Sequence, residues 1–221
     1  MELSGNLFST PWLVGFGGLY AAAAWPALRW ARWRALAPHG RQHAYLGAIV
    51  CLMLLWTLRT EVQPGLAWHL SGMVILTLMF GWSRAVIGGS IALAGITLAG
   101  LNDWPGWLPS AVLYVVLPAS LCQVALWLAR HFLPKHYFIY VFVNAFLAAG
   151  VIAILVALTS SALLLAAGAY TLAELQDTYL LFLPLMFFPE AVLNGWMASI
   201  MVGFRPQWVH SFRDDEYLDG K

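Results

Sequence analysis

Long apolar stretches separated by short polar loops leave this sequence few ways to fold. A bilayer-crossing helix needs about 20 mostly apolar residues. Lipid offers no hydrogen bonds to a bare backbone, so crossings are restricted to helices and closed barrels. Seven stretches suit helices, roughly Trp12–Leu28, His43–Leu58, Leu66–Phe80, Ala85–Leu101, Ser110–Ala129, Tyr137–Leu158 and Tyr179–Gly203. The second and third are short, which fits tilted or partly embedded helices. Apolar character continues from Ser160 to Ala169, either extending the sixth helix or folding back at the surface. Only 10% of the 221 residues are charged and 62% are hydrophobic, whereas a soluble domain carries about 25% charged residues. The expectation is an all-α, polytopic transmembrane helical bundle forming a single domain over residues 1–221. A short outer segment covers residues 1–11 and a tail covers 204–221. The residues ahead of the first stretch include Glu2 and no Lys or Arg, so they do not read as a signal peptide.

The loops give an orientation. Arg29, Arg32, Arg34 and Arg41 follow the first stretch. Arg84 follows the third, Arg130 and Lys135 the fifth, and Arg205, Arg213 and Lys221 the seventh. The opposite loops carry Arg59 as their sole cation, with Glu2, Glu61, Asp103, Glu174 and Asp177. Positive charge concentrates on the cytoplasmic side of membrane proteins. The N-terminus is therefore expected outside, and the C-terminus in the cytoplasm, of a cell inner (plasma) membrane. Twelve Trp suit interfacial belts. A net charge of +1 makes nucleic acid an unexpected partner and membrane lipid the expected one. Cys51 and Cys122 both sit in apolar runs and read as small hydrophobes rather than a disulfide.

Small residues recur at Ala85, Gly88, Ala92, Gly95 and Ala99 of the fourth stretch, and at Ala145, Ala149, Ala153 and Ala157 of the sixth. Such faces let helix backbones approach closely in lipid. They serve either the protein's own bundle or a partner membrane subunit. The run Gly15-Phe16-Gly17-Gly18 reads as a helix-packing signal and not a phosphate loop. Pro118, Pro184 and Pro189 remove backbone donors and are expected to kink their helices.

Glu190 is the single carboxylate inside a long apolar stretch. A carboxylate at that depth costs at least about 2.5 kcal/mol on insertion scales and is functional, paired or hydrogen-bonded when it occurs. Asn194 lies four residues on, sharing its helix face. Asn144 and Gln123 are the other polar groups at membrane depth, and such amides often join helices. His69 opens the third stretch near the outer face. It reads either as a divalent-metal ligand or as an interfacial histidine bonded to backbone. His39, His43, His131 and His136 fall in basic loops, and His210 in the tail. No Walker motif, CxxC pair, HExxH or GxSxG occurs, so catalytic residues are expected to be absent.

Three segments resemble the substrate-specific membrane component of cobalt and nickel energy-coupling-factor transporters, the CbiM/NikM type. They are Pro64-Gly-Leu-Ala-Trp-His69-Leu-Ser-Gly72 followed by Phe80-Gly-Trp82, Asn102-Asp-Trp-Pro-Gly-Trp-Leu-Pro109, and Pro189-Glu-Ala-Val-Leu-Asn-Gly195. The resemblance spans most of the chain. It implies a divalent transition metal, cobalt or nickel, as substrate, held by the terminal amine of Met1, the segment at Glu2 and His69. Family members carry His at the second position. Glu2 stands there in this chain, and a carboxylate is a harder ligand that shifts metal preference. The resemblance also implies a separate coupling membrane subunit and separate ATPase subunits, since this chain has no P-loop. Glu190, Asn194 and Asn144 would then line the metal's route or fix the packing. A different reading is a non-transporting accessory or scaffold subunit of a membrane metalloprotein complex, which the small-residue faces fit equally well.

Overall fold

The structure is a computed structural model that describes residues 2–37, 40–63, 65–213 and 217, without the side chain of Glu2. Met1, His39, Pro64 and Lys221 lie outside the described residues. Helices dominate: α1 Thr10–Trp30, α2 Arg41–Thr57, α3 Met73–Phe80 and α4 Trp82–Leu98. Two long runs follow, α5 Trp104–Phe132 and α6 Tyr137–Ala166. The short α7 Leu172–Thr178 then leads into α8 Leu183–Phe204. By length and composition, the runs Trp104–Phe132, Tyr137–Ala166 and Leu172–Phe204 are each long and apolar enough to cross a membrane, and Trp82–Leu98 is a shorter apolar helix. The apolar residues after Leu158 extend α6 as far as Ala166.

The third apolar stretch departs from expectation. Leu66–Trp68 is a strand, β3, and the chain becomes helical only at Met73. Eight helical residues rise about 12 Å, well short of a bilayer core. β3 is the centre of a small antiparallel sheet. It pairs with β1, Glu2–Leu3, on one side and with β2, Thr60–Gln63, on the other. The register sets Glu2 against Ala67 and Leu3 against Leu66.

The sheet marks one end of the bundle, and the loop before α5 closes onto it. Asp103 caps α5 by accepting from Gly106 N–H, and also accepts from Ser4 Oγ at 2.5 Å and Gly5 N–H at 3.0 Å. Leu3 N–H donates to Ser110 Oγ at 3.0 Å. Gly5 and Gly106 must both lack a Cβ, because one on Gly5 would strike Pro105 and one on Gly106 would strike the Leu3 carbonyl. The N-terminal segment is therefore clamped in place rather than lying on the surface.

The basic segments gather at the other end. Arg84 donates to the Phe80 and Arg32 carbonyls. The tail folds back over the α3–α4 corner, where His210 and Ser211 N–H groups donate to the Met79 and Leu78 carbonyls. Arg130 donates to Ser211 O at 2.7 Å, and Tyr140 Oη lies 2.6 Å from Ser211 Oγ.

The small face of α4 packs inside the chain. Ala85 and Ala92 are fully buried, and a Cβ on Gly88 or Gly95 would meet Tyr45 or Met53 of α2. Ala99 alone of that set is exposed. A Cβ on Gly88 would lie 3.1 Å from Tyr45 Oη, whose hydroxyl donates to Arg84 O. Gly88→Leu is therefore expected to prise α2 from α4 at a cost of about 1–3 kcal/mol or more. Thermal unfolding in detergent measures this, and an unchanged midpoint would place the face elsewhere. Ala145, Ala149 and Ala157 of α6 are likewise fully buried, and α6 meets α8 through Gly150 and Gly195. Within the glycine run of α1, Gly17 faces Leu108 and Phe16 is buried, whereas Gly15 and Gly18 have open space where a side chain would stand. Cys122 is buried as expected, but Cys51 is exposed.

Two π-helical stretches interrupt the long helices, Ala111–Val116 in α5 and Tyr140–Leu147 in α6. The first ends just before Pro118, whose missing donor disturbs the α-ladder at that point.

Candidate functional site

The loop between β3 and α3 carries His69, and α8 holds that loop in place. The first turn of a helix has backbone N–H groups with no partner inside the helix. At α3 the partners come from α8. Glu190 Oε2 accepts from Ser71 N–H at 2.7 Å and Oε1 accepts from Gly72 N–H at 2.9 Å. Asn194 Oδ1 accepts from Ile75 N–H at 2.8 Å. Asn194 Nδ2 donates back to Glu190 Oε1 at 2.8 Å, tying the two side chains together. Ser71 Oγ accepts from Met73 N–H. The carboxylate also faces the positive end of the α3 dipole, which favours it. Glu190 and Asn194 are 4% and 0% exposed. Both carboxylate oxygens act as acceptors, an arrangement that suits a carboxylate and not an amide. Gly72, with φ of 63°, makes the turn into α3, and a Cβ there would press on Leu52 and Leu55.

His69 is 5% exposed. Its Nδ1 lies 2.9 Å from the Leu70 carbonyl oxygen, which can only accept, so Nδ1 carries a proton and the neutral ring has its lone pair on Nε2. This is the tautomer that presents Nε2 to a metal. The ring packs on Trp56 with centroids 5.2 Å apart, and Trp56 Nε1 donates to Ser71 O at 2.9 Å. Trp56 thereby fixes both the imidazole and the loop that bears it. His69 and Glu190 line a common cavity of about 30 Å³ with Tyr114 and Met186. That space holds about one water or one bare cation.

Among the described residues there is no cluster of three or more His, Cys, Asp or Glu side chains. A cation at His69 would take its further donors from backbone groups or from residues outside the described ones. The β1–β3 register supplies backbone close by, with Glu2 opposite Ala67, two residues before His69. Met1 and the Glu2 side chain lie outside the described residues. Asn144 is not part of this constellation. It is 4% exposed and lines a different, apolar cavity between α5 and α6, where its Oδ1 has no hydrogen-bond partner among the described residues. His43, His131 and His136 are exposed.

The Asp103 clamp was not singled out from sequence, where Asp103 counted as a charge in an outer loop and as part of the Asn102–Pro109 segment that carries the family resemblance. Its signal was an Asp three residues ahead of Gly106, with Pro105 at the helix start, a capping pattern.

The chain matches the family described as cobalt uptake substrate-specific transmembrane region over residues 3–208. Among curated proteins none matches it. The family match takes in the clamp, the sheet, the His69 loop and its α8 anchor together. The chain therefore belongs to the CbiM family of cobalt-uptake membrane components.

Proposed function

We propose that the chain captures a divalent transition metal, Co²⁺ or Ni²⁺, at the sheet end of the bundle and presents it for uptake in an energy-coupling-factor system of the inner membrane. The observation that carries this reading is the anchoring of His69. Glu190, Asn194 and Trp56 immobilise the loop, and the Leu70 carbonyl selects the tautomer with its lone pair on Nε2. Preorganised ligands of this kind are what metal sites require. Met1 and the Glu2 segment complete the ligand set on this reading. Glu190 is a positioning residue here, since its oxygens are committed to the α3 N-terminus. Coupling and ATPase subunits are separate chains. A proton competes with the metal for Nε2, so Co²⁺ retention by the purified protein is expected to fall on acidification from about pH 8 to about pH 5. Ni²⁺ is expected to displace it. Retention that is flat with pH, or absent, favours an accessory role instead.

The proposed topology puts the sheet end outside and the arginine-rich end in the cytoplasm. The clustering of Arg32, Arg84 and Arg130 at one end with the tail, and of Asp103 with Ser4 and Gly5 at the other, supports it. In this arrangement the third crossing combines the β3 loop with the short α3. Its non-helical backbone is tolerated because Glu190 and Asn194 satisfy it. Reporter fusions after Arg41 and after Lys221 are both expected to report cytoplasm, and a periplasmic signal from either contradicts the topology.

A further inference from the structure

The arginine-rich end of the bundle holds more positive charge than its described surroundings balance. Arg84 is 5% exposed, yet its bonds go to neutral carbonyl oxygens, Phe80 O from Nε and Arg32 O from Nη1 at 3.4 Å. Arg41 Nε is buried without a hydrogen-bond partner among the described residues. Among the described residues, those whose charges act on Arg84 are Arg41, Tyr45 and Arg32, none of them a carboxylate. His210, exposed across the corner, is also acted on by the charges of Arg84, Arg41, Arg130 and Arg32. A buried charge is normally paired or takes a ligand. These cations point to an anion.

Beside them lies a cavity of about 750 Å³, within the size range of small-molecule sites. Arg32, Arg84 and His210 supply its ionisable lining, beside the neutral Ser83, Ser120 and Gln123. Trp30, Val124 and Trp127 form its walls, and all three are more than half exposed on the outer surface of the bundle. The cavity is thus open sideways, where a membrane component meets acyl chains. Cationic head, tryptophan walls and lateral opening together match an amphiphile rather than a free ion.

We propose that this cavity binds the phosphate headgroup of an anionic glycerophospholipid, with Arg84 and Arg32 on the phosphate and Trp30 and Trp127 against the glycerol and upper acyl chains. The guanidinium forks of arginine suit phosphate oxygens. Trp82 Nε1 donates to Ser120 Oγ at 2.9 Å, which joins α4 to α5 beneath the cavity. A lipid bound there would brace α1, α4 and α5 at the corner on which the tail rests.

The test is native mass spectrometry of the full chain in detergent, titrated with phosphatidylglycerol or phosphatidylcholine, alongside inorganic phosphate at matched concentration. Wild-type protein is expected to retain one phosphatidylglycerol with at least about tenfold preference over phosphatidylcholine. Arg84→Gln and Arg32→Gln are each expected to weaken that binding about tenfold. Trp127→Ala is expected to weaken the lipid while leaving any phosphate adduct unchanged. Arg32 is exposed, so its variant decides the matter if Arg84→Gln fails to fold. Equal retention of the two lipids overturns the proposal, as does undiminished phosphatidylglycerol binding in Arg32→Gln. Displacement of the lipid by equimolar phosphate also overturns it and makes the site one for a free anion. An acidic protein segment that excludes the lipid would assign the cavity to a protein partner.

Discussion

Glu190→Ala is expected to destabilise the protein severely and to release the His69 loop. The substitution strips the acceptor from Ser71 N–H and Gly72 N–H and one of the two acceptors from Asn194 Nδ2. A buried donor left unsatisfied costs about 1–3 kcal/mol. Two backbone donors alone amount to about 2–6 kcal/mol, against a total stability on the order of 5–15 kcal/mol. Glu190→Gln is expected to fall between wild type and Ala. Its single carbonyl oxygen can serve one side of the pair, while its amide N–H groups must face Ser71 N–H or Gly72 N–H, where an acceptor is needed. Thermal unfolding in detergent ranks the three proteins, and hydrogen exchange at Ser71 and Gly72 reports the loop directly. A Gln variant as stable as wild type would show that the carboxylate is not what holds α3.

Sequence pattern reached the fold class and most helices because long apolar runs tolerate few alternatives. It failed at Leu66–Phe80 for a physical reason. The run is apolar throughout, and composition alone does not distinguish a buried strand and loop from a helix. Pairing of Leu66–Trp68 with Glu2–Leu3 is set by contacts across about 60 residues of sequence, beyond the reach of local pattern. The Glu190–Asn194 spacing was legible as a shared helix face, but their targets were not, because Ser71, Gly72 and Ile75 lie about 120 residues away. Asn144 looked equivalent to Asn194 in sequence. The fold turns it to another cavity, between α5 and α6, within the π-helical stretch Tyr140–Leu147. His69 was visible as a candidate, whereas its tautomer depends on the Leu70 carbonyl and only the three-dimensional loop shows that.

His69→Ala carries the second large effect. The imidazole is the one buried histidine among the described residues, and the loop that presents it is fixed at Ser71, Gly72 and Trp56. Removing the ring deletes a metal donor without touching the Glu190 bonds, so the fold is expected to survive. Losing one of a few ligands commonly lowers affinity far more than the 10- to 100-fold cost of losing an outer-shell partner. The decisive measurement is the Co²⁺ content of the purified, folded protein beside that of His69→Ala. The account predicts about one Co²⁺ per chain in the wild type, falling to background in a variant that still unfolds cooperatively. Background Co²⁺ in the wild type, or equal content in both proteins, would contradict it.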